Sequence, residues 1–168
     1  MLLARNAMVI FEDDTPRDTL LHGVMEEGCS DEIIGALIPK FMENEEFRPA
    51  VYNAMVMAAD KQRTDLVKIF LQKNVSVNAM NHQDKTALMK AAYNNDCHTT
   101  KSLLQNNADP NLLDSNGKTA LFYVLCDNCN NHDNWCVVKL LLDNGADPIW
   151  LTNTGILCSL VPPGGLAC

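Results

Sequence analysis

Four residues between positions 126 and 136 are of the types that bind a transition metal. Cys126-Asp127-Asn128-Cys129-Asn130-Asn131-His132-Asp133-Asn134-Trp135-Cys136 reads C-x2-C-x2-H-x3-C, three thiols and one imidazole within eleven residues. Thiolate sulfur and neutral imidazole nitrogen are the ligands of tetrahedral zinc sites. The gap before His132 is shorter than zinc knuckles use, and the surrounding asparagines have the composition of a polar loop. The expectation is an Asn-rich loop with incidental cysteines and no resident cofactor. Cys126, Cys129, His132 and Cys136 are the candidate ligands should a metal bind. Within Cys136-Val137-Val138 the thiol is expected to face the core, and Cys29, Cys97 and Cys158 are read as small buried residues or inert thiols.

Other chemistry is poorly supplied. No Gly-rich phosphate loop, His-Glu-x-x-His or Gly-x-Ser-x-Gly motif occurs, and the four histidines, His22, His82, His98 and His132, are scattered. Without a nucleophile, base and orienting group in a recognisable pattern, no catalytic residue is assigned and the chain is not expected to be an enzyme.

The elements that position these residues follow from composition and periodicity. The chain has 168 residues, 47% of them apolar and 20% charged, enough for one continuous core. Residues 1–11 run into Glu12-Asp13-Asp14 and lack the shape of a signal peptide, and no stretch approaches the ~20 apolar residues of a membrane span. With seven cysteines, an odd number unlike a secreted disulfide framework, the expected location is the cytoplasm, with the nucleus as the alternative. The net charge of −8 is concentrated at the front, where residues 1–50 hold eleven acids against four bases. Such a field repels phosphate backbones and suits a protein partner with a basic patch; no nucleic acid and no membrane are expected.

Asn53-Ala54-Met55-Val56-Met57-Ala58-Ala59, Thr86-Ala87-Leu88-Met89-Lys90-Ala91-Ala92 and Thr119-Ala120-Leu121-Phe122-Tyr123-Val124-Leu125 begin 33 residues apart, and Thr19-Leu20-Leu21-His22-Gly23-Val24-Met25 lies 34 residues before the first of them. A second apolar pattern follows each: Ile33-Ile34 with Ala36-Leu37, Val67 with Phe70-Leu71, Thr100 with Leu103-Leu104, and Val138 with Leu141-Leu142. Spacings of three and four put these on one helix face. Asn74, Asn107 and Gly145 then suit the left-handed residue that ends a helix. Thr19, Thr86 and Thr119 are placed to cap their helices, and the Ala58-Ala59 and Ala91-Ala92 pairs keep the first helices thin. A five-residue insertion separates the two helices of the last full unit.

These segments resemble the ankyrin repeat, with its Thr-Pro-Leu-His-x-Ala-Ala, Val-x-x-Leu-Leu and Gly-Ala-Asp-x-Asn signatures. The resemblance implies an all-α solenoid of stacked helix-turn-helix units with β-hairpin fingers. The expected division is a lead or cap at 1–13, repeats over 14–155 (about 14–47, 48–80, 81–113 and 114–151), and a truncated fifth unit with tail at 152–168, where Pro162-Pro163-Gly164-Gly165 block a second helix. Leu2, Leu3, Val9, Ile10 and Phe11 at one end, and Ile149, Trp150, Leu151, Ile156 and Leu160 at the other, would cover or expose the ends of the stack. The family's structural His survives only at His22; Val56, Met89 and Phe122 replace it, which predicts weaker hairpins there.

By the same resemblance, hairpin tips and the outward face of the first helices bind a protein partner. The corresponding residues are Tyr52, Asp60, Lys61, His82, Gln83, Lys85, Tyr93, Asn94, Ser115, Asn116, Lys118 and Asp127, with Arg48 and Pro49 grouped with Tyr52, and with Arg17, Asp18, Glu26 and Glu27 from the first repeat. Tyr93 is the expected anchor. Leu103, Asp109 and Asn111 match the spacing of asparaginyl-hydroxylase sites in the family, making Asn111 a candidate for modification. The implied role is a monomeric, non-enzymatic inhibitor, adaptor or scaffold, unless the C-terminal edge pairs. Alternatives are an inhibitor-of-κB-like regulator of Rel factors, a cyclin-dependent kinase inhibitor, the substrate arm of a ubiquitin ligase, or a zinc-binding interaction protein.

Overall fold

The computed structural model describes residues 31–127 and 134–148. The chain there forms helices α1 (Asp31–Glu43), α2 (Arg48–Asp60), α3 (Thr64–Gln72), α4 (Ala87–Tyr93), α5 (Cys97–Gln105), the short α6 (Ala120–Phe122) and α7 (Trp135–Asp143). A π-helical turn, Tyr123–Asp127, continues α6. Among the described residues the sole β-pairing is an isolated antiparallel bridge between Met80 and Thr86.

The helices form two rows. In one, α2 packs on α4 and α4 on α6; in the other, α1 packs on α3, α3 on α5 and α5 on α7. Each first helix also packs on its own second helix, as α2 on α3 and α4 on α5. No helix of this length holds itself together in water, so the apolar seam between rows supplies the stability. Ala58, Ala59, Ala91 and Ala92 are fully buried, as the need for close approach between first helices requires. Phe70, Leu103 and Leu141 fill the seam from the second helices, each worth about 1.5–3 kcal/mol on burial.

The local signals operate as their chemistry predicts. Thr86 Oγ1 accepts from Met89 N at 3.2 Å and Thr119 Oγ1 from Phe122 N at 3.3 Å, satisfying helix-start donors. Asp96 does the same for α5, accepting from the amides of His98 and Thr99. Asn74, Asn107 and Gly145 have φ of 59°, 63° and 84°, the left-handed conformation that closes each second helix. At Met89, where the family pattern has His, the thioether sulfur takes the Thr86 N–H at 3.4 Å and completes a capping box.

Two expectations are corrected, the buried face of α1 and the state of Cys97 and Cys136. On α1 the buried face is Ile34 with Ile38, and Ala36 is exposed. The cause is Gly35: a Cβ there would lie 2.8 Å from Ile69 Cγ2, so its absence lets α1 settle on α3 in this register. Arg48 and Pro49 form the first turn of α2, and Tyr52 follows in the same helix. Proline at the start of a helix is pre-organised and loses no bond, and Arg48 Nε reaches back to Met42 O at 3.0 Å. Finally, Cys97 is not an isolated thiol and Cys136 does not face the core: the two form a disulfide between α5 and α7, with Cys136 exposed and Val137 and Val138 buried beside it.

Candidate functional site

Two fingers project from the first-helix row. In the first, Asn81 Oδ1 accepts from Gln83 N and Lys85 N, both at 3.0 Å, and Asp84 takes a φ of 55°. In the second, Asp114 Oδ1 accepts from Asn116 N at 2.9 Å and Lys118 N at 2.8 Å, and Gly117 has a φ of 73°. A carboxamide and a carboxylate therefore build the same turn 33 residues apart. The fingers are linked, since Ser115 Oγ donates to Gln83 O at 3.1 Å.

The second finger is anchored from below. Tyr123 donates its hydroxyl to Asp114 Oδ2 at 2.7 Å, and both side chains are buried. Burial of Asp114 favours its neutral form, but the bonds from Tyr123, Lys118 and Asn116 together outweigh it and hold the carboxyl below the usual aspartate range. Lys85 Nζ lies 5.4 Å and Lys118 Nζ 5.5 Å from the Tyr123 ring centre, and Lys118 is also 4.7 Å from that of Phe122. Tyr93 meets the Tyr123 ring edge-to-face at 6.1 Å and is 43% exposed. The result is a supported aromatic and lysine surface between the fingers.

Next to it a shallow groove of about 260 Å³ is lined by Asn53, Met57, Asp60, Lys61, His82 and Lys90, among others. Lys90 Nζ pairs with Asp60 Oδ1 at 3.1 Å across adjacent first helices. Asn94 Nδ2 donates to Asp60 O at 2.7 Å, so this residue ties α4 to the end of α2.

Most of the sequence-predicted contact residues thus gather on one side. His82, Gln83, Lys61, Ser115 and Asn116 are exposed, Lys85 and Lys118 are half-buried over the rings, and Asp60 and Asn94 also bridge neighbouring repeats. Tyr52 is half-buried against the core on α2. Asp127 and Cys126 belong to the π-helical turn. Cys129 and His132 lie outside the described residues, as do Arg17, Asp18, His22, Glu26 and Glu27. With Cys136 bonded to Cys97, the four-ligand set loses one thiolate. Asn111 Nδ2 donates to Gly145 O at 2.9 Å and its Oδ1 accepts from Asp147 N at 2.8 Å, so both amide atoms join successive turns.

Asp114 and Tyr123 are the residues that reading along the chain did not single out. Asp114 stands where Asn81 does one repeat earlier, which marks it as a turn builder, but only folding brings Tyr123 beneath it.

A family model for ankyrin repeats, three copies long, matches residues 20–114 and again 54–150. The chain belongs to the ankyrin-repeat family. Ankyrin repeats generally mediate protein–protein interaction and are typically non-enzymatic, which is the class this chain enters. Solved structures also match, 176 chains in all, among them the human ASB11 ankyrin repeat domain, with 27% identity and a TM-score of 0.49. That match covers 55% of this chain and 40% of the ASB11 domain. No curated protein sequence matches. No helix among the described residues is long and apolar enough to cross a membrane.

Proposed function

We propose that this ankyrin-repeat chain is a non-enzymatic module that holds a protein partner along its fingers and first-helix face, acting as an inhibitor, adaptor or scaffold. The observation that carries this reading is the exposed Tyr93, backed by the buried Tyr123 and flanked by Lys85 and Lys118. A rigid aromatic held by a second ring loses little entropy on binding, which favours such residues as interface anchors. At the α1 end of the described residues, Asp31, Glu32, Glu43, Glu45 and Glu46 lie on α1 and the turn after it, Asp31 pairing with Arg63 and Glu45 with Arg48. A basic patch on the partner is matched to that end. In this reading the repeats divide as the 33-residue period suggests, and the module acts as a monomer.

A photo-crosslinking amino acid placed at Tyr93, and separately at Lys101 on the second-helix row, tests the proposal in cells. Defined protein adducts from position 93 and few from 101 are expected, and Lys85→Glu should deplete them. Equal adducts from both rows, or none from 93, would sink it.

A further inference from the structure

Cys97 is the first residue of α5 and Cys136 the second of α7, joined by a disulfide with Cα atoms 6.1 Å apart. They are not equivalent positions of the repeat: the residue of α7 aligned with Cys97 is Trp135, so the bond runs diagonally between adjacent second helices. It also lies at the rim. Cys136 is exposed and Cys97 half-buried, while Thr100, Leu103, Val137 and Leu141 beneath are fully buried. The apolar seam is therefore complete without the bond, and water-borne reagents reach it.

The two thiols differ in access. Cys136 is the exposed member of the pair, so a dissolved peroxide reaches its sulfur first. Cys97 is half-buried at the start of α5, the less accessible sulfur and so the one that attacks second.

We infer that Cys136 and Cys97 form a reversible thiol–disulfide site, oxidised by a hydroperoxide and reopened by a dithiol reductant, that latches α7 onto α5. The Cys136 thiolate attacks one peroxide oxygen and the O–O bond breaks. With hydrogen peroxide, the departing hydroxide takes a proton and leaves as water, and Cys136 becomes a sulfenic acid. The Cys97 thiolate then attacks the Cys136 sulfur; the S–S bond forms, the S–O bond breaks, and a second water leaves. Two thiols lose two electrons and two protons in total, and the peroxide takes up both. A dithiol reverses the outcome by exchange, itself ending as a disulfide. The closed loop spans a sequence separation of 39 and includes the second finger, so oxidation restrains the binding side as well as α7.

The test uses the full chain, reduced, desalted, treated with hydrogen peroxide and mapped by differential alkylation and mass spectrometry. The expected first product is the peptide pair linked through Cys97 and Cys136, restored to thiols by dithiothreitol, with unchanged helical circular dichroism in both states. In Cys97→Ser, dimedone should trap a sulfenic acid at Cys136. In Cys136→Ser, labelling of Cys97 should be at least about tenfold slower. Amide exchange in α7 should be slower in the oxidised chain. Preferential pairing of other cysteines, faster labelling at Cys97, or loss of helix on reduction would overturn the site; equal exchange in the two states would overturn the latch.

Discussion

Thr100 occupies the position that Val67 and Val138 hold in the neighbouring second helices. Its side chain is fully buried, and among the described residues its hydroxyl oxygen meets no hydrogen-bond partner. Thr99 beside it is equally buried but satisfied: its hydroxyl donates to Asp96 Oδ2 at 2.5 Å and accepts from Thr64 Oγ1 at 2.8 Å. A buried hydroxyl without a partner costs about 1–3 kcal/mol in lost hydration. Valine has the same shape and a similar helix propensity, so Thr100→Val removes that cost, converts the oxygen to a buried methyl and leaves the backbone alone. The expected gain is about 1–2 kcal/mol, or roughly 3–6 °C in Tm for a chain of this size. Thr99→Val makes the same change of shape but breaks two bonds and orphans a carboxylate oxygen, so a loss of about 1–3 kcal/mol is expected. Urea unfolding of both variants reads the difference as opposite shifts in midpoint at unchanged m-value. A neutral or destabilising Thr100→Val, or shifts of the same sign in both, would refute the assignment of hydrogen-bond status as the deciding variable.

Asp114 makes stability fall in acid. Its folded pKa lies below the unfolded one, so its contribution is fully present above the ordinary aspartate range and is lost as pH drops through that range towards the folded value. Tyr123→Phe removes one of the lowering bonds, and a flatter acid arm of Tm against pH is expected; an unchanged arm would count against the link. Ala91→Leu forces three extra carbons into a fully buried position where first helices meet, at an expected cost of about 3 kcal/mol, checked by chemical unfolding. Gly145→Ala meets no atom within 4 Å, yet at a φ of 84° the added Cβ should cost about 1 kcal/mol by the same measurement.

The order of helices was legible along the chain because its causes are local. A 3.6-residue turn puts residues three and four apart on one face, so the apolar spacing marks each helix and the 33-residue period marks the stack. Threonine hydroxyls at Thr86 and Thr119, and the left-handed turns at Asn74, Asn107 and Gly145, act within a few residues of themselves, and the structure keeps all of them. What only the tertiary structure decided depends on helices from different repeats meeting. Gly35 sets which face of α1 is buried because Ile69 lies against it, and Leu104 is 6% exposed while its equivalent Leu142 is 43% exposed. The Lys90 pair with Asp60 and the Cys97 bond to Cys136 likewise join residues 30 and 39 positions apart. Even the Asp114 anchor, only nine residues from Tyr123, needs the finger to fold back over the first-helix row before the two can touch. Distances across the stack are set by side-chain volumes on both sides of a seam, and a pattern read along one strand of chain records only one side.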